Sequence, residues 1–173
     1  KNSKSVTYRA IHILLIILFG VFTSNSYSQG SDEELAKQAN ELFDDLKYIE
    51  ATPLFNRLLS NDQRNHEWNY KYGTCLIYNA KNKDRAIKYL KFSIKGKVEP
   101  EALYFLGKAY HLNFQFNEAQ KYYNRYKKAA GAKSVKRLDV QRQIEMCKNG
   151  QELLSTMQDL VIESKKSIKQ EDF

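Results

Sequence analysis

Small residues recur at a fixed spacing in this chain, and that spacing restricts how the chain can fold. Gly107 and Ala119 are twelve positions apart, and so are Ala39 and Ala51. Large apolar residues surround each pair at steps of three or four, which is the period of an amphipathic helix. A small side chain on each of two successive helices lets their backbones approach closely. The pattern therefore predicts pairs of helices that cross at their small residues.

The pairing occurs three times. Gly73 and Ala86 form the middle pair and are thirteen positions apart, which indicates one extra residue in the connecting turn. The second members of the pairs, Ala51, Ala86 and Ala119, recur at intervals of 35 and 33 residues. Self-similarity at such a period is typical of solenoid proteins. The chain is therefore predicted to be all-α, with about three helix-turn-helix repeats.

This pattern resembles the tetratricopeptide repeat (TPR), a unit of 34 residues. When Pro100 is counted as the first position, Gly107 and Ala119 take positions eight and twenty, where the family has small residues. Gly131 takes position 32, where the family usually has proline. The resemblance implies a TPR-type α-solenoid with repeats at about 32–65, 66–99 and 100–133.

The residues after the repeats are predicted to cover the last open face of the stack, since a solenoid needs a terminal element there. An amphipathic helix is expected over 134–149, and Asn149-Gly150 is predicted to end it. A short further helix is expected from Gln151 to Ile162, so that 134–162 form the capping helices. The polar residues 163–173 are predicted to be a tail or linker.

The first 28 residues have the layout of a secretory signal peptide. Lys1, Lys4 and Arg9 precede an apolar run from Ile11 to Phe22, and small residues follow before Gln29. The run is too short to span a bilayer core of about 30 Å. We expect export and a mature TPR array over 29–162; an uncleaved signal anchor is the alternative.

An export signal followed by TPR-like repeats resembles the N-terminal TPR region of exported OmpA-family/β-propeller envelope proteins of Gram-negative bacteria. The stretch from Val140 to Gly150 resembles the helix that closes this region in that family. The resemblance implies a periplasmic, outer-membrane-associated location. In that family the repeats precede a β-propeller and a C-terminal peptidoglycan-binding domain.

No pattern of catalytic or metal-binding residues occurs in the sequence. The net charge is +8, and the basic residues are spread through the repeats and alternate with acidic ones, which indicates solvated helix faces. No nucleic-acid-reading module accompanies them. His66 and His111 lack ligand spacing, and Cys75 and Cys147 are predicted to be two separate buried thiols. We expect no enzyme activity, no cofactor, no metal, no nucleic acid and no small-molecule substrate.

The resemblance implies a protein-binding surface instead. In TPR arrays, positions five, nine and twelve of each first helix line a concave groove for a partner segment. Beside Ala36, the residues at these positions are Asn40, Phe43, Tyr70, Thr74, Ile77, Tyr104, Lys108 and His111. The predicted function is an exported TPR scaffold or adaptor that binds protein partners in a cell-envelope assembly and meets the membrane only through them. The alternatives are a structural spacer for a missing C-terminal domain and a periplasmic peptide-binding chaperone.

Overall fold

The computed structural model describes residues 31–79 and 83–171, with side chains as far as Ile168, and this part of the chain is built from α-helices. The predicted signal peptide, residues 1–28, lies outside the described residues. So does most of the predicted turn between residues 79 and 83. None of the described helices is long and apolar enough to cross a membrane.

Six helices form three successive pairs. Their bounds are 31–44 (α1), Tyr48–Asn61 (α2), His66–Ile77 (α3), Lys83–Ser93 (α4), Glu101–Leu112 (α5) and Phe116–Ala129 (α6). We call α1, α3 and α5 the A helices and α2, α4 and α6 the B helices. Each pair packs on the next, α2 against α3 and α4 against α5, and the A helices α3 and α5 also touch. The predicted all-α, TPR-type solenoid is confirmed.

The helices of each pair cross closely at the predicted small residues. A Cβ atom added to Gly107 would lie 2.8 Å from Cδ1 of Tyr123 and 3.2 Å from the carbonyl oxygen of Ala119. A Cβ atom on Gly73 would lie 2.7 Å from Cγ of Leu90. The alanine partners of the three crossings are fully buried, namely Ala39, Ala51, Ala86 and Ala119. The small residues are therefore required by contact between the helices.

Two of the A helices end in a left-handed residue that is not glycine. Leu46 after α1 has φ 61° and Phe114 after α5 has φ 58°. The next amide closes the helix end in both cases, with Lys47 donating to the Leu42 carbonyl at 2.8 Å and Gln115 donating to the Tyr110 carbonyl at 3.0 Å. This is the Schellman arrangement, in which glycine is the usual left-handed residue. Both turns therefore hold a bulky side chain in a strained backbone.

Helix α2 contains a proline. The helix starts at Tyr48, so Pro53 lies inside it and beyond its first turn. Proline cannot donate to the carbonyl four residues back, which here belongs to Ile49. Both Pro53 and Ile49 are exposed, so that carbonyl lies on the solvent side and can be hydrated. The helix consequently tolerates the proline.

The C-terminal helices differ most from the prediction. A short helix, Ala132–Arg137 (α7), ends where Asp139 takes φ 45°, and one helix of 32 residues, Val140–Glu171 (α8), follows. The predicted stop at Asn149-Gly150 is wrong. Gly150 is needed for packing, because a Cβ atom there would lie 2.5 Å from Cζ of Phe116. Residues 134–162 are thus divided between α7 and α8 near Asp139 rather than at residue 150, and α8 continues through most of the predicted tail.

Replacing Gly107 by alanine is predicted to destabilise the fold, although alanine is the better helix former. The new Cβ atom would press on Tyr123, whose side chain is fully buried and has no room to move. Such overpacking costs about 1–3 kcal/mol. Gly131→Ala is the control, because nothing lies within 4 Å of a Cβ atom there. Urea unfolding of both variants measures the difference; a stabilised Gly107→Ala would contradict the close crossing.

Leu46→Gly is predicted to stabilise the chain by about 1 kcal/mol, since glycine takes a left-handed conformation without steric cost. Little packing is lost because Leu46 is 69% exposed. Ile49→Gly is the matched control: its side chain is 66% exposed but lies within α2, where glycine costs about 1 kcal/mol. The two substitutions should shift the midpoint of thermal unfolding in opposite directions, and a shift in the same direction would argue against strain at Leu46.

Candidate functional site

The predicted groove corresponds to the face formed by the three A helices, and a lysine bridges each adjacent pair of them. Between α1 and α3, the Lys71 ammonium donates to Oδ1 of Asn40 at 2.8 Å and pairs with Glu67 at 3.4 Å. The same ammonium lies 5.4 Å from the ring centroid of Phe43. The Lys71 side chain is only 15% exposed. Its charge is therefore largely used to hold α1 and α3 together.

The second bridge joins α3 and α5 and is more open. The Lys108 ammonium donates to Oη of Tyr78 at 3.1 Å and lies 4.7 Å from the centroid of the Tyr78 ring. That ring stacks on Tyr48 at 4.3 Å with an interplanar angle of 16°. Tyr78 remains 40% exposed. Residues Tyr48, Tyr78 and Lys108 form what we call the aromatic ledge.

The aromatic ledge has an ammonium group that no carboxylate among the described residues neutralises. In the described part of the chain no carboxylate forms an ion pair with Lys108, whereas Lys71 is paired with Glu67. A partly exposed tyrosine ring fixed by stacking loses little side-chain freedom when it binds a partner, and lysine supplies charged donors. The ledge is therefore suited to a segment that combines an apolar or aromatic group with an acceptor or a carboxylate.

Four of the eight predicted groove residues are buried. Tyr70 is 3% exposed, Thr74 0%, Ile77 2% and Tyr104 7%. The expectation that these four side chains face a partner is corrected. The reason is the repeat stacking: Tyr70 lies between Phe43 of α1 and Phe105 of α5, at centroid distances of 6.0 and 6.2 Å.

The buried side chains make their contacts within the fold. The Thr74 hydroxyl donates to the carbonyl of Tyr70 at 3.0 Å, one turn back along α3. Tyr104 packs against Phe105, Tyr123 and Tyr126, at centroid distances of 5.4, 5.5 and 5.6 Å. Burial raises the pKa of Tyr104 to about 12, so its hydroxyl stays protonated at neutral pH. These side chains act as packing between helices.

The other four predicted residues, Asn40, Phe43, Lys108 and His111, are half-buried on the A helices. Asn40 and Phe43 surround Lys71, and Lys108 belongs to the aromatic ledge. His111 lies apart from them, with its ring 5.6 Å from Phe116 and 6.3 Å from Tyr123. Burial lowers the pKa of His111, so it is neutral at pH 7. The structure thus brings three of the four into the two lysine bridges.

Three residues of these bridges, Lys71, Tyr78 and Tyr48, are not among the positions predicted from the sequence. Lys71 lies in α3 and Tyr78 caps its end seven residues later, which is two full turns, so both lie on the same side. They follow Tyr70 and Ile77 by one position each, and a helical wheel of α3 would have shown a polar edge beside the predicted positions. Tyr48 opens α2, and no signal within the A helices could have identified it.

No catalytic or metal-binding arrangement is found among the described residues. No group of three potential metal ligands occurs in residues 31–79 or 83–171. Cys75 and Cys147 are free, fully buried thiols, as the sequence predicted. Burial raises the pKa of Cys75 to about 12 and that of Cys147 to about 11, so neither is a thiolate at neutral pH. The described residues offer surfaces for binding and no activated nucleophile.

A second candidate surface, a cleft, lies away from the aromatic ledge. Its volume is about 1180 Å³, and it opens between α2 and α4, which are B helices. Four basic side chains and one acid line it, namely Arg64, Lys88, Lys91, Lys95 and Asp84. All four bases are exposed, whereas the aromatic ledge is a set of contacting groups. We therefore place the candidate site on the ledge and use the cleft as a comparison surface.

The comparisons by sequence find no relative. No family model matches the chain, and no curated protein matches it.

Solved structures do match, and they have the repeat architecture described above. The Yersinia enterocolitica type III secretion translocator chaperone SycD aligns with a TM-score of 0.58 at 20% identity, covering 69% of this chain and 85% of that chain. SycD in complex with a peptide of the translocator YopD aligns with a TM-score of 0.56 at 20% identity, covering 69% and 93%. The first TPR domain of human RPAP3 gives 0.53 at 17% identity, covering 68% and 95%. At these identities the likeness shows the fold, and the fold of this chain is that of a TPR domain.

Proposed function

We propose that this chain is an exported TPR adaptor that holds a segment of a protein partner on its A-helix face. The observation that supports this most directly is the aromatic ledge, where the unpaired Lys108 ammonium lies beside the exposed ring of Tyr78. The Tyr78 ring is held by stacking on Tyr48, and the Lys108 ammonium is held against that ring. Both side chains therefore lose little conformational entropy when a partner binds. An extended segment with an acidic group next to an apolar or aromatic one fits this chemistry.

The fold gives the proposal further support. One of the similar structures contains a translocator peptide, which shows that a scaffold of this shape accommodates a bound segment in that protein. The same structure favours a second candidate, a periplasmic chaperone that binds its partner transiently. The adaptor and the chaperone would use the same ledge. They differ in whether the partner stays bound in the assembled state.

The envelope location is a separate part of the proposal and depends on residues 1–28. The basic start and the apolar run from Ile11 to Phe22 support export. The array would then act as a scaffold in a periplasmic, outer-membrane-associated assembly. A spacer for a further domain would need export but would not need the ledge.

Substitutions at the aromatic ledge should strongly reduce the amount of partner that the chain captures. With the full chain as bait in an envelope extract, Lys108→Glu and Tyr78→Ala should each reduce the captured partner at least about tenfold, because each removes a contact at the centre of the site. Lys91→Glu is the control, with the same charge change on an exposed turn of the B-helix cleft. Mass spectrometry quantifies the partner, and circular dichroism checks the fold of each variant.

Equal capture by the parent and both ledge variants would exclude the ledge as the binding surface. A loss with Lys91→Glu alone would place binding in the B-helix cleft. No specific capture by any variant would favour the spacer. A partner that is released once the envelope complex has assembled would favour the chaperone, whereas a partner that stays bound to the chain would favour the adaptor.

Export is tested with a reporter that is active only outside the cytoplasm. Alkaline phosphatase fused after residue 40 should be active in a Gram-negative host, and Leu15→Arg should abolish this activity because a charge interrupts the apolar run. Ser5→Arg adds the same charge within the basic start and should preserve activity. An inactive parent fusion, or full activity with Leu15→Arg, would contradict export by this segment.

A further inference from the structure

The last helix leaves the folded body halfway along its length. In its first part, Val140, Ile144 and Cys147 are at most 5% exposed and pack toward α6. From Gln151 to Ile168 every side chain is exposed. These 18 residues extend about 27 Å at 1.5 Å per residue. A helix of this length without tertiary contacts is only marginally stable in water, because most helical stability comes from packing of an apolar face.

This free part of α8 has such a face. Six large apolar side chains fall along one side of it at helical steps, with exposures between 37% and 62%: Leu153, Leu154, Met157, Leu160, Val161 and Ile168. We call these six residues the α8 stripe. Soluble monomers seldom leave a continuous apolar strip of this kind in water. Ile162, which is 52% exposed, projects from the opposite side of the helix.

A strained aromatic residue adjoins the stripe. Phe114 is 71% exposed and has φ 58°, a conformation that costs free energy for any residue with a side chain. It lines a small cleft together with Phe116, Leu154 and Gln158. The apolar surface therefore continues from the helix onto the turn between α5 and α6.

We propose that the α8 stripe pairs with the α8 stripe of a second copy of this chain, in antiparallel orientation. The first argument is area. Each half-exposed side chain leaves on the order of 100 Å² uncovered, so the stripe and Phe114 offer roughly 700 Å² per copy, close to the about 800 Å² per partner of a standard interface. The same patch on both copies forms a two-fold symmetric contact without any other component.

The second argument is the order of the side chains. In an antiparallel pair centred between Leu160 and Val161, Leu153 of one helix lies opposite Ile168 of the other, and Met157 lies opposite the small Ser164. At each end of the pair two large side chains, Leu153 and Ile168, thus meet, and between the ends and the centre the long Met157 faces the short Ser164. A parallel pair would instead place two copies of Ser164 opposite each other and leave a gap.

The third argument is charge. Between Gln151 and Ile168 the acids Glu152, Asp159 and Glu163 precede the bases Lys165 and Lys166. Antiparallel pairing places the two lysines of each helix alongside the stretch of the other that holds Glu152 and Asp159. Parallel pairing would place Lys165 beside Lys165 and Glu163 beside Glu163. Charge order of this kind sets the orientation of paired helices.

The experiment measures the mass of the full chain by sedimentation equilibrium. The parent should have the mass of two chains, Leu160→Glu should raise the dissociation constant at least about tenfold, and Ile162→Glu should leave it unchanged. The two substitutions place the same charge two residues apart on opposite sides of one turn, so a general effect on α8 would appear in both. All variants share residues 1–30, so association through that segment would persist in every one. Circular dichroism verifies that helix content is retained.

Orientation is tested by disulfide cross-linking. Val161→Cys lies near the two-fold axis and should cross-link two copies. Ile168→Cys should not, because antiparallel pairing places the two copies of residue 168 at opposite ends of the helix pair. Cys75 and Cys147 are fully buried and do not compete. Efficient cross-linking of both variants would overturn the antiparallel pair.

A monomeric parent would overturn the proposal, and so would equal dissociation by Leu160→Glu and Ile162→Glu. A monomer that binds phospholipid vesicles through the stripe would identify a membrane surface as the occupant instead.

Discussion

The close crossing of the helices within each pair is the contact on which the rest of the structure depends. Where Gly107 meets Tyr123, or Gly73 meets Leu90, there is no room for even one more carbon atom. This close approach holds a B helix directly against its A helix, and the helix pairs packed in succession produce the layered stack. Because each pair is rigid, the A helices are held side by side, and their side chains must fit between neighbours.

That constraint decides which residues are left to bind a partner. The A helix in the middle of the array, α3, has neighbours on both sides, so Tyr70, Thr74 and Ile77 are enclosed. Only side chains long enough to emerge from between the helices remain available, and they bridge adjacent repeats. The Lys71 ammonium pairs with Glu67 and donates to Asn40, whereas the Lys108 ammonium donates to Tyr78 and forms no ion pair with a described carboxylate. The difference between these two bridges makes the second one a binding surface.

The sequence predicted the helix pairs well because the signal for them is local and repeated. It failed where a distant contact decides the outcome. Asn149-Gly150 has the composition of a helix end, but Phe116, more than thirty residues earlier, fills the space that glycine leaves, and the helix continues. The burial of Tyr104 likewise depends on Tyr123 and Tyr126 in the following helix. Periodicity along one helix carries no information about which of its faces a neighbouring repeat will cover.

The two proposed surfaces lie on different parts of the molecule, and this has a consequence for binding. The aromatic ledge belongs to the repeats, whereas the α8 stripe extends beyond the last of them. Antiparallel pairing of α8 would leave a ledge free on each copy and hold the two arrays at opposite ends of a shared pair of helices. A partner that carries two binding segments would then engage both ledges, and the second contact would form at a high effective concentration. Two ledges that are each weak would together be enough for a stable assembly under this arrangement, so modest complementarity at Tyr78 and Lys108 is compatible with an adaptor role.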